Sequence, residues 1–375
     1  MSVSNVKWVR LGDYITMRHE NNSSLKYGAE LIEGVNSSGE FQPTKAGTID
    51  INLKPYKVVR HGDIVYNPSR LNIGSLAYRE GEMCIVSHLY QVFYIKKQYE
   101  DILSAEYLIM YLRRNEFYRY VDYDNYGSQR AEYNLKKLGE LRIPLPSIEV
   151  QRELVSVYTG LKSLAEENEA LLQPLSDACQ AFIVDCKNKY RSVKLGELIK
   201  ISNTPNNQNC KYPFYGINKD KMFMPTVANT DGLDASKYTI LTKDMFVFSG
   251  MQTGRDVCIR IGLYNEDSPI LVSPAYISFI VKDKSTILPE YLYVSFMRFE
   301  MDRYGWFLSD SSVRSNLDWD RFCDIRIPLP PLSVQQKVVD LFNCYAEAKS
   351  IAEQAREQLK TICPALVQKA AHTVA

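Results

Sequence analysis

The stretch LRIPLPSIEVQ at 141–151 returns as IRIPLPPLSVQ at 325–335, an offset of 184 residues. An apolar run closed by Pro-x-Pro and followed by a Gln-bearing helix start is not generic filler. A chain that writes it twice is constrained to fold as two copies of one unit. Further anchors keep the order. VRLGDYI (9–15) matches VKLGELI (193–199), EYL at 106–108 matches EYL at 290–292, and Arg130 pairs with Arg314, all at 184. Between them the offset drifts: IVSHLYQVFYI (85–95) aligns with LVSPAYISFIV (271–281) at 186, and Asp63 with Asp244 at 181. The ends of each copy are held while the middles diverge, the pattern of one fold carrying different surface loops.

Each phrase leads into a heptad seam. From Val150 the apolar steps of four and three run through Leu154, Val157, Leu161, Leu164, Asn168, Leu171, Leu175, Ala178 and Phe182. From Val334 they run through Val338, Leu341, Tyr345, Ala348, Ala352, Ala355, Leu359, Ile362 and Leu366. Two apolar positions per seven residues over four to five heptads are expected to pair the two helices. Such a seam is roughly 48 Å long at 1.5 Å per residue. Asn168 is the polar member of the first seam and Ala352 its counterpart. Ser333 with Gln336 has the spacing of a capping box, and Pro174 and Pro364 are expected to kink their helices.

The segments before the helices are rich in Tyr, Val, Ile, Gly and Asn, with short alternating runs such as DIVYN, QVFYIKK and AYISFIVKD. These predict short strands with polar connections. One shorter helix is expected per module, over 104–121 and 288–305. The expected fold is therefore α+β, with two repeated modules separated by two long antiparallel helices, a coiled-coil spacer with pseudo-two-fold symmetry. The boundaries read as 1–146 and 191–330 for the modules, and 147–190 and 331–375 for the spacer helices.

Composition narrows the class. No apolar run approaches the ~20 residues that span a bilayer, and the N-terminal MSVSNVKWVR has no signal-peptide core. Eight cysteines without C-x₂-C spacing, among four scattered histidines, read as reduced thiols of a cytoplasmic protein with no metal site. No G-x-x-x-x-G-K-[ST] loop is present. The stretch NPSR (67–70) is similar to the Asn-Pro-Pro-aromatic motif of amino-methyltransferases. Ser69 and Arg70 replace its second Pro and its stacking ring, and no Gly-rich cofactor loop precedes it. No catalytic residue is expected.

Taken together, Trp8 with VRLGD, GDIVYNPSR (62–70), GSQR (127–130) and IPLPSIEVQ have second-copy counterparts. These are VKLGE, KDMFVFSGMQTGR (243–255), VR (313–314) and IPLPPLSVQ. In this order the chain resembles the specificity subunit of type I restriction–modification systems over essentially its whole length. The second copy departs by carrying Lys243 where the first has Gly62, and it lacks the Asn-Pro. The resemblance implies that each module is a target-recognition domain reading one half of a split double-stranded DNA site. It also implies that the helices dock methyltransferase subunits, two of them, which flip and methylate adenine at N6. S-adenosylmethionine would belong to those partners, and ATP and Mg to a restriction subunit where one is present. The chain itself would hold no cofactor. Seam residues Val150, Leu154, Leu161, Asn168, Leu175, Val338, Leu341, Leu359 and Leu366 would form the spacer and its docking surface.

Charge lends this reading no surplus. Residues 1–146 hold 19 basic against 17 acidic residues, 191–330 hold 17 against 16, and the first spacer segment holds 4 against 7. Duplex-binding proteins draw affinity from phosphate neutralisation, so the cations are either segregated onto one face or supplemented by partners. The candidates for base contact are Asn67, Ser69, Arg70, Asn72, Gln129 and Arg130 in the first module. In the second they are Gln252, Thr253, Arg255, Ser311, Ser312 and Arg314. Arg suits guanine and Asn or Gln adenine, whereas Arg130 and Arg314, being equivalent, suit phosphate or structure. Two other readings stand beside this one: recognition subunit of another methylation or defence assembly, and coiled-coil scaffold binding only proteins.

If the helices set half-site separation, one heptad added to both lengthens the spacer by roughly 10 Å. At about 3.4 Å per base pair, the gap in the methylated motif is expected to grow by some two to three pairs with both half-sites unchanged. An unchanged gap in methylation mapping would mean that the helices only dock partners.

Overall fold

The computed structural model describes residues 7–44, 51–124, 132–226, 232–251, 253–310 and 315–372. The chain divides into two units, one of residues 1–166 and 351–375 and the other of 167–350.

In the first unit an antiparallel sheet takes the order Ile15–Met17, Gln91–Ile95, Ile64–Tyr66, Leu76–Tyr78. The second unit repeats it with Ile199–Ile201, Ile277–Val281, Met245–Ser249 and Arg260–Tyr264. One face of each sheet is covered by a short helix, Ala105–Leu112 or Pro289–Phe296, whose Tyr107 and Leu108, or Tyr291 and Leu292, are fully buried. The fillings differ. Ile64, Tyr66 and Phe93 build the first core. The second stacks rings, with Phe248 on Phe322 at 4.0 Å and Phe246 on Phe279 at 4.9 Å between centroids.

Each unit closes on itself. The strand Lys7–Arg10 pairs with Arg142–Leu145, placing Trp8 opposite Pro144, and Ser192–Lys194 pairs with Arg326–Pro328. The repeated Leu-Gly has a steric cause. A Cβ on Gly12 would stand 3.0 Å from the Gly139 carbonyl oxygen, and one on Gly196 would stand 3.0 Å from Cys323 Cβ.

The duplicated phrase is a hydrogen-bonded joint. Gln151 is fully buried. Its Oε1 accepts from the Ser104 N–H at 2.9 Å, and its Nε2 donates to the carbonyls of Ile102 at 2.8 Å and Pro146 at 2.9 Å. Gln335, also fully buried, accepts from Leu288 N–H at 2.8 Å and donates to Thr286 and Pro330 at 3.0 and 2.9 Å. Ser104 and Leu288 are the N-caps of the short helices. The Tyr107 and Tyr291 hydroxyls donate to the Pro144 and Pro328 carbonyls at 3.1 and 2.9 Å. Proline gives up its donor but keeps its acceptor, and here the acceptors tie strand, short helix and long helix together.

The long helices run Ile148–Lys189 and Leu332–His372. Contacts group the front of the first with the rear of the second in one unit, and the converse in the other. In the second unit Cys179 lies beside Cys344, while Ile183, further along, shares a core with Val338 and Val339. The helices therefore pair antiparallel. On the second helix Val338, Ala348, Ala352 and Ala355 are buried and Leu341, Tyr345 and Leu359 half-buried, as the heptads predict; the side chain of Leu366 lies outside the description.

On the first helix half the expected seam is displaced. Leu154 is buried and Leu161, Asn168, Leu175 and Phe182 are half-buried, but Val157, Leu164 and Leu171 are 44, 43 and 50% exposed. The inward positions lie one residue on, at Gln151, Tyr158, Ala165, Leu172, Cys179 and Cys186, about 100° round the helix. Small Ala and Cys let the helices approach, so the large aliphatics face outward. Val150 stays partly buried against the first core.

Other expectations are corrected. The single helix predicted over 104–121 is two, Ala105–Leu112 and Asn115–Asp124, and that over 288–305 is Pro289–Phe296 and Phe299–Leu308. The chain breaks where Arg114 folds back over the Tyr111 ring at 3.9 Å and donates to its carbonyl. Gln336 forms no capping box, since its amide donates forward to Asp340 and the helix has begun at Leu332. Asp63 does not match Asp244. The ladders put Ile64 and Phe246 opposite Phe93 and Phe279, so Gly62 at φ +89° corresponds to Asp244 at φ +67°, and Lys243 does not replace Gly62.

Replacing Gln151 by Leu strands one donor and two acceptors in the interior, at about 1–3 kcal/mol per group before relaxation. Gln151→Leu is expected to destabilise the first unit by about 2–4 kcal/mol, and Gln335→Leu the second by a like amount. Hydrogen exchange resolved by unit checks this; protection unchanged in the affected unit would contradict it.

Candidate nucleic-acid interface

The loops that differ between copies leave the same place in each sheet. In the first unit the connection from Tyr66 to Leu76 is built around Asn67. Its N–H donates to Ser75 O, its carbonyl accepts from Arg70 N–H, and its Oδ1 accepts from Ser69 N–H, each at 3.0 Å. The 3-10 turn Leu71–Ile73 follows, anchored by buried Leu71 and ended by Gly74 at φ +95°. A Cβ on Gly74 would stand 2.3 Å from Ser37 O, so that backbone position needs glycine. Asn72 Nδ2 donates to Asp122 Oδ1 at 2.7 Å, fixing the turn to the helix Asn115–Asp124.

In the second unit the connection leaves Ser249 through Gly250, where a Cβ would stand 1.8 Å from Leu317 O. It then forms a single helical turn, Thr253–Asp256. Thr253 is fully buried and its hydroxyl donates to Gly250 O at 3.0 Å. Asp256, with its side chain only 5% exposed, pairs with Arg255 at 3.1 Å, Arg260 at 2.5 Å and Lys219 at 3.6 Å.

One backbone bond brings the two singled-out stretches of each module together. Tyr133 N–H donates to Pro68 O at 3.0 Å, and Leu317 N–H to Gly250 O at 2.9 Å. The 67–70 loop thus lies against the chain that follows GSQR, and the 250–256 loop against the chain that follows VR. Gln129, Arg130, Gln252, Ser311, Ser312 and Arg314 lie outside the described residues. Of the rest, Ser69, Arg70 and Arg255 are exposed at the loop surface. Arg70 makes no side-chain hydrogen bond or ion pair among the described residues. Asn67, Asn72 and Thr253 belong to the loop framework.

A cleft of about 1050 Å³ adjoins the second loop, with Arg298, Arg326, Lys187 and Trp306 on its walls. The Arg298 Nε is buried there without a hydrogen-bond partner among the described residues, and burial lowers its pKa. Sequence reasoning passed over Arg298, because an arginine between two short helices carries no motif. Among the described residues no cluster of His, Cys, Asp or Glu could hold a metal ion, and no helix is long and apolar enough to cross a membrane.

Residues 12–173 and 187–361 both match the type I restriction modification DNA specificity domain. The chain belongs to that family. Each match holds one closed module, so the specificity domain occurs twice, and the chain is a DNA-sequence specificity subunit of a non-catalytic family. The S subunit of the type I restriction–modification system from M. genitalium has the same fold, with a TM-score of 0.61 at 15% identity over 98% of this chain and 97% of that one. The HsdS subunit from Thermoanaerobacter tengcongensis also matches, at 15% identity and a TM-score of 0.40, over 98% and 96%. No curated protein matches the sequence.

In this specificity subunit the exposed loop arginines are separable from the framework. Arg70→Ala is expected to weaken cognate duplex binding by about 1–3 kcal/mol with no change in thermal midpoint. Asn72→Ala, which cuts the loop from its helix, is expected to lower the midpoint as well. Duplex titration beside thermal unfolding checks both; a lowered midpoint for Arg70→Ala would place that side chain in the framework.

Proposed function

We propose that this specificity subunit reads an asymmetric, bipartite duplex site and docks two methyltransferase subunits. The observation that carries the reading is the contrast within each module. The sheet order, the glutamine joint and the closing strand pair recur, whereas the loop leaving the sheet is a 3-10 turn behind Asn67 in one and an α-turn behind Gly250 in the other. Like frames place unlike loops, and unlike loops present different donors and acceptors to base edges.

Methyl transfer to adenine N6 belongs, in this reading, to the methyltransferase partners, which bring S-adenosylmethionine and flip the base. A restriction subunit, where present, brings ATP and Mg. The partners also supply phosphate contacts, which fits a chain of net charge +1. The assembly works in the cytoplasm, where its DNA is.

Because the joint isolates each module's frame from its loops, residues 16–140 can be exchanged for the corresponding region of a related chain. The chimera is expected to change one half-site only, keeping the half-site read by 200–324 and the partner stoichiometry. Mapping the methylated motif decides it, and a change in both half-sites would show that the modules are coupled.

A further inference from the structure

The outward faces of the second short helices repeat as closely as the cores do. Asn115–Asp124 and Phe299–Leu308 correspond at the offset of 184. Phe117 and Val121 point inward in one, Met301 and Gly305 in the other. On the opposite side stand Tyr120 and Tyr123, matched by Tyr304 and Phe307. Tyr120 is 46% and Tyr304 44% exposed, while Tyr123 and Phe307 are each 79% exposed. Next to them Arg119 pairs with Glu116, and Arg303 with Glu300. Rings left in water forgo the gain of burial, yet both modules keep them while the adjoining loops diverge.

Two facts select what covers these rings. First, a surface presented alike by both modules meets the same thing twice, which excludes the bases of two unlike half-sites. Second, the helices are not cationic. The first carries Glu116, Asp122 and Asp124 against Arg119, and the second Glu300 and Asp302 against Arg303. Lys137 and Lys221 are paired to Asp124 and Asp302, so no cation surplus remains for phosphates. Exposed aromatics beside an arginine are what the centre of a protein interface uses.

We propose that this face, centred on Tyr123 in the first module and Phe307 in the second, docks a methyltransferase subunit, one copy per module. The proposal rests on the specificity-subunit reading above and adds the surface. The partner presents an apolar pocket for the ring with a cationic rim facing the helix carboxylates.

The test uses the full chain purified with its methyltransferase, with stoichiometry read by native mass spectrometry and duplex affinity by titration. Tyr123→Asp and Phe307→Asp are each expected to lose one methyltransferase copy, and the double variant both. Tyr123→Ser and Phe307→Ser, milder changes at the same exposed rings, give the same losses, and Tyr123→Phe keeps both copies. Two copies retained by all variants overturn the proposal. If duplex affinity then falls on the order of tenfold or more, the face belongs to DNA instead. A wild-type chain that binds no methyltransferase overturns the functional reading itself, and a wild-type complex with unaffected variants overturns only the surface.

Discussion

A buried glutamine amide holds each half of this molecule together. Gln151 and Gln335 each join three backbone groups from two other segments: the N-cap of the short helix, the residue before that cap's neighbour, and the proline that closes the last strand. An amide is suited to this, since it offers an acceptor and two donors in one plane. A carboxylate could not donate, and an apolar residue would leave all three groups unpaired. With the joint in place, the long helix leaves its module at a fixed point relative to the sheet. Sheet, closing strands and long helix are then one frame, and the loops between strands are released from carrying the fold.

That division explains why identity concentrates where it does. The repeated anchors, Leu-Gly, Glu-Tyr-Leu and Pro-x-Pro to Gln, all sit at frame contacts: a Cβ-excluding approach, a buried tyrosine bonded to a proline carbonyl, and the glutamine itself. The loops between them share little beyond the backbone bond that holds them beside the chain entering the last short helix. The cores are free to differ too, with mostly aliphatic packing in one and stacked phenylalanines in the other.

Much of this was legible in the sequence, because duplication reports fold directly. The two modules, the long helices and the seam of the second helix follow from spacing alone. The seam of the first helix did not, since Ala165, Cys179 and Cys186 carry it while the larger Val157, Leu164 and Leu171 face out, and apolar size outweighed position. The turn before Ile64 was misaligned by one residue because Asp244 takes a left-handed conformation that sequence assigns to glycine. The loop residues were only partly readable. Asn67, Asn72 and Thr253 look like base readers by type, but backbone groups and Asp122 engage them. Arg70 and Arg255 stand exposed, and only coordinates separate the two sets.

The central claim is that like frames carry unlike readers. Sequencing the methylome of a host that expresses the unaltered chain with its methyltransferase tests it most directly. The account predicts one motif made of two different half-sites separated by a gap of fixed length and free sequence. A palindromic motif, a continuous one, or methylation without a motif would contradict it.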